Sequence, residues 1–346
     1  MTIKPLLLKS VSEGMILAQD VIDKFGRLLI PAGIPLKQEI INLLEKHEIT
    51  SIVVQDHEYE NLEIYMLQDI ISSEAHLRLL CSVQRAFSMA NGLEEHFLEL
   101  QSYIEDIVTN VTKRNHVLLY LNELTHTSDY LYMHSVNVCV FSILIGIAMK
   151  LPHDELCLLG MGGLLHDFGK TKISPEILNK QGTLTITEFN EIKEHASIGY
   201  NLLRIDVQLD YRIMFMALQH HERCNGSGYP WGISKSKIHP LARIVAVADV
   251  YDALTTDRVY RSRLSSYTAI QMINEGDGIH FDPQVIEAFN KIAIPYPIDS
   301  FVALSNGRVG QVVGLNSSNL FRPFIVTEDG MMNLLSQHEM NILIAK

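Results

Sequence analysis

Basic charge is in short supply in this chain. Lysine and arginine number 28 against 40 aspartates and glutamates, for a formal net charge of −12. Nucleic-acid polymers are gripped through a basic footprint, so a nucleic-acid polymer is excluded as a partner. A small anionic ligand is not excluded, because bound cations invert the local field. Cysteine is scarce as well. Cys81, Cys139, Cys157 and Cys224 form no CxxC pair and lie in apolar runs, which reads as reduced core thiols of a cytoplasmic protein. The opening segment, MTIKPLLLKSVSEGM, has a short apolar patch but no cleavage pattern. The longest apolar stretch, Val136 to Met149, is broken by polar residues and is too short to span a bilayer, so no membrane segment is expected. Internal repeats and low-complexity runs are missing too.

What is present suits a globular protein of two or three domains: 346 residues, 47% of them apolar. The expected fold class is mainly α: a helical bundle with a small α/β unit before it and a small β-rich appendage after it. Residues 1–70 form the α/β unit. AQDVIDKFGRLLIPAG reads as a hairpin around Gly26, and LKQEIINLLEKHEI has helical apolar spacing. Residues 71–122 read as an amphipathic helical connector suited to pairing two subunits, with helices simply packed in the bundle as the default reading. Residues 123–296 read as the main bundle, with helices at Met133–Lys150, Glu155–Leu165, Thr187–Leu203, Arg212–His221 and Leu241–Leu254. Thr185 with Glu188 forms a capping-box pattern, and Asp282-Pro283 marks another helix start. Residues 297–346 carry the turn pairs Asn306-Gly307 and Asp329-Gly330 between β-rich runs.

The 15 histidines differ in kind. His47, His57, His96 and His338 have polar neighbours and read as solvated. His166-Asp167 in GGLLHDFGK, His220-His221 in MALQHHE and Asp249 in RIVAVADVYDALT instead sit inside apolar helical runs. A buried carboxylate costs several kcal/mol unless it is paired or metal-bound. Several imidazoles and two carboxylates in one bundle make a plausible site for a first-row metal.

The segments HSVNV, LLHDFGK, ILNKQGTLTITEFNEIKEHASIG, HHERCNGSGYP and ARIVAVADVYDALTTDRVYR occur in the order of the motifs of the HD-GYP family. The chain resembles that family over roughly residues 100–295. HD alone would point only to the wider HD phosphohydrolase superfamily, whereas GSGYP supplies Gly228, Tyr229 and Pro230. The resemblance implies an HD-type bundle and hydrolysis of cyclic di-GMP to pGpG, and on to GMP if a second cut follows. It implies His134, His166, Asp167 and Asp249 as ligands of one metal, and Asp167, His195, His220 and His221 as ligands of a second. Asp167 would bridge the two ions, which would share an activated water. Members that hold a third metal carry Glu where this chain has Tyr130, so two ions are expected.

An imidazole and carboxylate set suits iron or manganese, with zinc or nickel as alternatives. Cations so placed lower the pKa of a bridging water and polarise phosphate oxygens. The family uses the Lys170 position on a substrate phosphate, and Arg258 and Arg261 match phosphate-contacting positions, where the guanidinium fork pairs bidentately. Asp252 is expected beside the substrate, and Glu222 beside a ligand histidine. Tyr229 would either pack on a guanine or anchor its loop. His239, before Pro240, reads as structural, and Trp231 as half-exposed packing. The alternatives are an HD phosphohydrolase acting on another nucleotide or cyclic dinucleotide, and an inactive cyclic-dinucleotide-binding module.

Overall fold

The structure, a computed structural model, describes residues 2–11, 15–23, 27–47, 49–56, 64–65, 73–88, 92–113, 118, 130–206, 209–257, 263–316, 318–328, 330–337 and 339–345. It divides into two compact units, Met1–Leu67 with Ile294–Lys346, and Gln68–Ala293.

The first unit is built from both ends of the chain. Strands β1 (Thr2–Leu7) and β4 (Ser51–Asp56) form an antiparallel ladder. Between them lie the hairpin β2 (Val21–Ile22) and β3 (Leu28–Ile30) and helix α1 (Gln38–Lys46). The hairpin flanks the expected turn, although Gly26 itself lies outside the described residues. Leu17, Leu36, Leu44 and Val54 are fully buried in the core. The second sheet has the order β10 (Ile342–Ala345), β6 (Phe301–Leu304), β7 (Val309–Asn316), β8 (Phe324–Thr327) and β9 (Gly330–Asn333), with β5 (Ile64–Tyr65) paired to β7. Turns join β6 to β7 at Asn306-Gly307 and β8 to β9 at Gly330, while Asp329 lies outside the described residues.

Sequence patterning divides the first 70 residues from the tail. The structure joins them, because β5 takes its ladder partner from β7 and Leu7 packs on Val313, Phe324 and Val326.

The second unit is helical: α2 (Ser73–Ser88), α3 (Gly92–Thr112), α4 (Tyr130–Ala148), α5 (His153–Leu165), α6 (Pro175–Leu178), α7 (Ile186–Lys193), α8 (His195–Asp206), α9 (Tyr211–Gln219), α10 (Pro240–Thr255), α11 (Ser266–Glu275) and α12 (Pro283–Ile292). Helix α4 is its axis, packed by α2, α5, α10 and α12. Its Val136, Val138, Val140, Ile143, Leu144 and Ile145 are all fully buried. A helix covered on every side needs no polar face. Among the described residues, Leu131–Ala148 is the one stretch long and apolar enough to cross a membrane, and 67% of it is buried inside the protein.

The segment read as a connector is part of this unit. Leu79, Val83, Leu100, Ile104, Val108 and Val111 of α2 and α3 are core residues, because these helices lie against α4 and α5. The Thr185/Glu188 capping box is present, and Asp282 caps α12 ahead of Pro283. The single helix expected over Thr187–Leu203 is two helices. The break falls where the His195 ring approaches the Ile192 carbonyl at 2.5 Å. An unbroken helix would give that carbonyl to the Ala196 N–H.

Removing residues 294–346 takes away the partner of β5 and the cover of Leu7. Amide hydrogen exchange in β1 and β4 should then accelerate relative to the whole chain, while that in α4 and α5 stays slow. Unchanged protection of β1 would show that the two ends do not support one another.

Candidate metal centre

The histidines of the centre are placed by the ends of helices. The last carbonyls of an α-helix have no partner inside the helix. His166 follows α5, and its Nδ1 lies 2.7 Å from the Gly163 carbonyl oxygen. His220 follows α9, and its Nδ1 lies 2.9 Å from the Ala217 oxygen. His195 meets Ile192, near the end of α7, in the same way. In each case a carbonyl oxygen can only accept, so Nδ1 carries the proton and Nε2 is left as a bare lone pair.

Those three bare nitrogens point at one carboxylate. His166 Nε2 lies 3.4 Å from Asp167 Oδ2, while His195 Nε2 and His220 Nε2 lie 3.3 and 3.8 Å from Oδ1. His134 Nε2 is 3.6 Å from Oδ2 and 3.2 Å from Asp249 Oδ1. The third imidazole on the second side is His221, whose Nδ1 lies 3.9 Å from Asp249 Oδ2. The donors fall into two groups, each within 4.8 Å: His134, His166 and Asp167, and Asp167, His195, His220 and His221. Asp167 thus offers one oxygen to each group.

The donors fit cations better than they fit one another. His195 Nε2 and His220 Nε2 face each other at 3.3 Å, and with both protons on Nδ1 neither can donate. His166 Nε2 and Asp167 Oδ1 are buried without a hydrogen-bond partner. A cation in each group would satisfy these lone pairs, and the clusters can hold divalent metal.

The titration behaviour follows from the same enclosure. Burial lowers His195 to about 4, and burial with neighbouring imidazoles holds His220 and His221 well below their ordinary value. All three are neutral at neutral pH. Burial alone would raise Asp167, but Lys170 and His166 hold it well below the carboxylate range. Asp249 is likewise held low against burial, by His134 and His221. His134 is the exception. Burial lowers it, yet Asp249 and Asp252 outweigh that and raise it to about 9.

Asp252, expected beside the substrate, is turned onto His134. It is 1% exposed, and its oxygens take His134 Nδ1 at 2.6 Å, Asn137 Nδ2 at 2.7 Å and Thr256 Oγ1 at 3.1 Å. A buried carboxylate so engaged orients a histidine and has nothing left for a ligand. Glu222 also has a different task. Its carboxylate accepts the backbone N–H groups of Trp231, Gly232 and Ile233, at 2.7, 3.1 and 3.0 Å, and so shapes the loop after Pro230. Lys170 Nζ donates to Asp167 Oδ2 at 2.5 Å and is partly exposed.

The 228–230 loop closes over the second group. Tyr229 stacks on His221 with ring centres 4.5 Å apart, so it anchors the loop against a candidate ligand. Lys193 Nζ, which the motifs did not single out, lies 5.5 Å from the Tyr229 ring centre. Gly228 is required there, because a Cβ would come within 2.4 Å of the His221 carbonyl oxygen. The glycine of HDFGK is under the same constraint: a Cβ on Gly169 would stand 1.9 Å from the His195 carbonyl oxygen. His239 caps α10 through Nδ1, as expected of a structural residue, and Trp231 is 57% exposed. Arg258 and Arg261 lie outside the described residues, as does the side chain of Tyr130, which opens α4.

A family model described as HD domain matches residues 122–285. The helical unit carries an HD domain. A cyclic di-GMP phosphodiesterase of Pseudomonas aeruginosa is 37% identical over 254 residues, covering 72% of this chain and 61% of that protein. A cyclic di-GMP phosphodiesterase of Thermotoga maritima is 30% identical over 263 residues, covering 75% of this chain and 63% of that one. The chain thus spans less than two thirds of the length of either relative. Among solved structures, an HD-GYP-type protein of Bdellovibrio bacteriovorus superposes with a TM-score of 0.54 at 19% identity, covering 84% of this chain and 99% of that one. That likeness shows the HD-type fold, and the relatives fit the HD-GYP resemblance of the motifs.

Two measurements probe this centre. Asp252→Asn weakens the acceptor that orients His134, and metal affinity measured against a competing chelator should fall about 10–100-fold. An unchanged affinity would remove Asp252 from the metal's support. In metal-free protein, stability should fall on both sides of pH 6.5. His195 is depressed to about 4, so the unfolded chain takes up a proton first as pH drops below 6.5, and the fold loses stability toward pH 4. His134 is raised, so its contribution is complete below 6.5 and is lost as pH rises through about 9. Urea unfolding from pH 4 to 10 tests both limbs, and His134→Asn should flatten only the alkaline one.

Proposed function

We propose that this HD domain is a metal-dependent phosphodiesterase that opens cyclic di-GMP to linear pGpG, with GMP as the product of a second cut. The observation that carries the reading is the single carboxylate of Asp167, which turns one oxygen toward each of two imidazole sets. The similarity to curated cyclic di-GMP phosphodiesterases supports the substrate class. The residues that would hold two divalent ions are His134, His166, Asp167 and Asp249 on one side, and Asp167, His195, His220 and His221 on the other. Iron or manganese suits the set best, with zinc or nickel as alternatives. When bound, such ions supply Lewis acidity and an acidified water.

The chain's own residues supply the rest. The helix-end carbonyls aim three imidazoles, so no reorganisation is needed when phosphate arrives. Asp252 holds His134 in the same way. Lys170, at the edge of the Asp167 carboxylate, is placed to neutralise a non-bridging phosphate oxygen. Arg258 and Arg261 remain the expected fork contacts to phosphate. The Gly228–Pro230 loop walls the centre and keeps His221 in place through Tyr229. Pairing of two subunits through the helices before residue 122 is a further part of the proposal, supported by Leu77 and Leu98, exposed on α2 and α3.

A second reading rests on relatives of Vibrio cholerae described as 3′3′-cGAMP-specific, one of them 32% identical over 164 residues. Both readings use one assay. Protein loaded with iron or manganese is given cyclic di-GMP and 3′3′-cGAMP separately, and the products are resolved by chromatography. Turnover of cyclic di-GMP is expected, with Asp167→Asn reducing it by at least about a thousandfold, the scale of losing a central electrostatic stabiliser. Preferential cleavage of 3′3′-cGAMP would favour the second reading. Binding without cleavage under every metal would make the chain a receptor.

A further inference from the structure

A second cluster of metal-type donors lies away from the Asp167 centre, at the start of α5. His153 opens that helix and Cys157 lies one turn later, so both side chains share a face. Glu105 meets them from α3. Its Oε2 lies 3.1 Å from Cys157 Sγ, and its Oε1 lies 3.4 Å from His153 Nε2. His153 Nδ1 is 3.8 Å from the same sulfur. One donor atom from each residue falls within 4.8 Å of the other two.

We propose that Glu105, His153 and Cys157 form a second divalent-metal site, of zinc type, that clips α3 to the first turn of α5. Bond lengths to zinc of about 2.0–2.3 Å set tetrahedral edges of roughly 3.3–3.8 Å, and one donor atom from each of the three residues already lies within 4.8 Å of the other two, so side-chain rotation alone would close the set on an ion. The donor set is one thiolate, one imidazole and one carboxylate. The sulfur selects zinc over magnesium or calcium, and three protein ligands leave the fourth position to water. Without an ion the contacts are ordinary ones, a thiol–carboxylate hydrogen bond and an imidazole between Glu105, Thr109 and Cys157; it is the meeting of three ligand types on two helices that suits a metal. Burial and the Glu105 carboxylate push the Cys157 thiol up to about 12. Loss of that proton therefore needs a cation between the two groups. Binding transfers the proton from sulfur to solvent and forms the metal–sulfur bond, with no change of oxidation state.

Glu105 and His153 are about half exposed, so an ion can reach the cluster from solvent and substitution there disturbs no core. The site is independent of the Asp167 centre in chemistry as well, since none of that centre's side chains is a thiol.

Cobalt separates the two sites. Metal-free protein, kept reduced with a phosphine, is titrated with cobalt(II) while the thiolate-to-cobalt charge-transfer band is followed. With cobalt sufficient to fill both the Asp167 centre and this site, the band should reach the intensity of one thiolate-bound ion per chain, and excess zinc should bleach it. Cys157→Ser should abolish the band and lower bound zinc by one equivalent, while Cys224→Ser keeps both. Glu105→Gln should weaken cobalt binding at this site at least tenfold. Cleavage of cyclic di-GMP should be unchanged in Cys157→Ser, and circular dichroism checks its fold. Absence of the band at excess cobalt, or its survival in Cys157→Ser, would overturn the proposal. Neither result depends on whether the Asp167 centre is active.

Discussion

The centre depends on the free carbonyls at three helix ends. Each takes an imidazole N–H and thereby decides which ring nitrogen faces inward. Without that anchoring, a neutral histidine has two tautomers and a free ring torsion, and the three rings could not all present a lone pair to Asp167. The same interaction explains a feature of the fold. The chain between Ile186 and Asp206 is two helices because His195 takes a carbonyl that a continuous helix would use. Function here interrupts regular structure at a defined residue.

The charge arrangement follows from that anchoring. Two carboxylates, Asp167 and Asp249, are sunk among imidazoles, of which burial keeps His195, His220 and His221 neutral. A pair of buried anions is costly in low dielectric. The close cationic partner of Asp167 is Lys170, and both carboxylates lean on His134, whose own affinity for a proton is raised by Asp249 and Asp252. A metal takes over the work of those protons, and metal binding should therefore release protons from this protein.

Much of this was legible in the sequence, for reasons that individual residues make plain. His166-Asp167 and Asp249 stood out because charge inside an apolar helical run needs a partner. The capping residues Thr185 and Asp282 and the Asn306-Gly307 turn are local signals, and local signals survive into structure. Asp252 and Glu222 were misplaced because their partners are distant in sequence or are backbone amides: Asn137 lies 115 residues from Asp252, and Glu222 holds three main-chain N–H groups. Carbonyl anchors carry no side-chain signature at all, although a histidine directly after an apolar helix, three residues beyond the accepting carbonyl, is a pattern that could have been sought. Residues 71–122 were open between a connector and plain bundle helices for a different reason. An amphipathic helix shows that it will be covered on one side but not by what, and α2 and α3 are covered by the bundle's own α4 and α5.

The joining of the two chain ends into one small unit has a consequence for biogenesis. During synthesis the ribosome delivers β1 to β5 first, then more than two hundred residues of helical bundle, and only afterwards the strands that complete the sheet. The bundle, whose contacts are internal, can settle while the tail is still being made. The early strands must wait with an unpaired edge, so this stretch is where a stalled or shortened nascent chain is most exposed to aggregation.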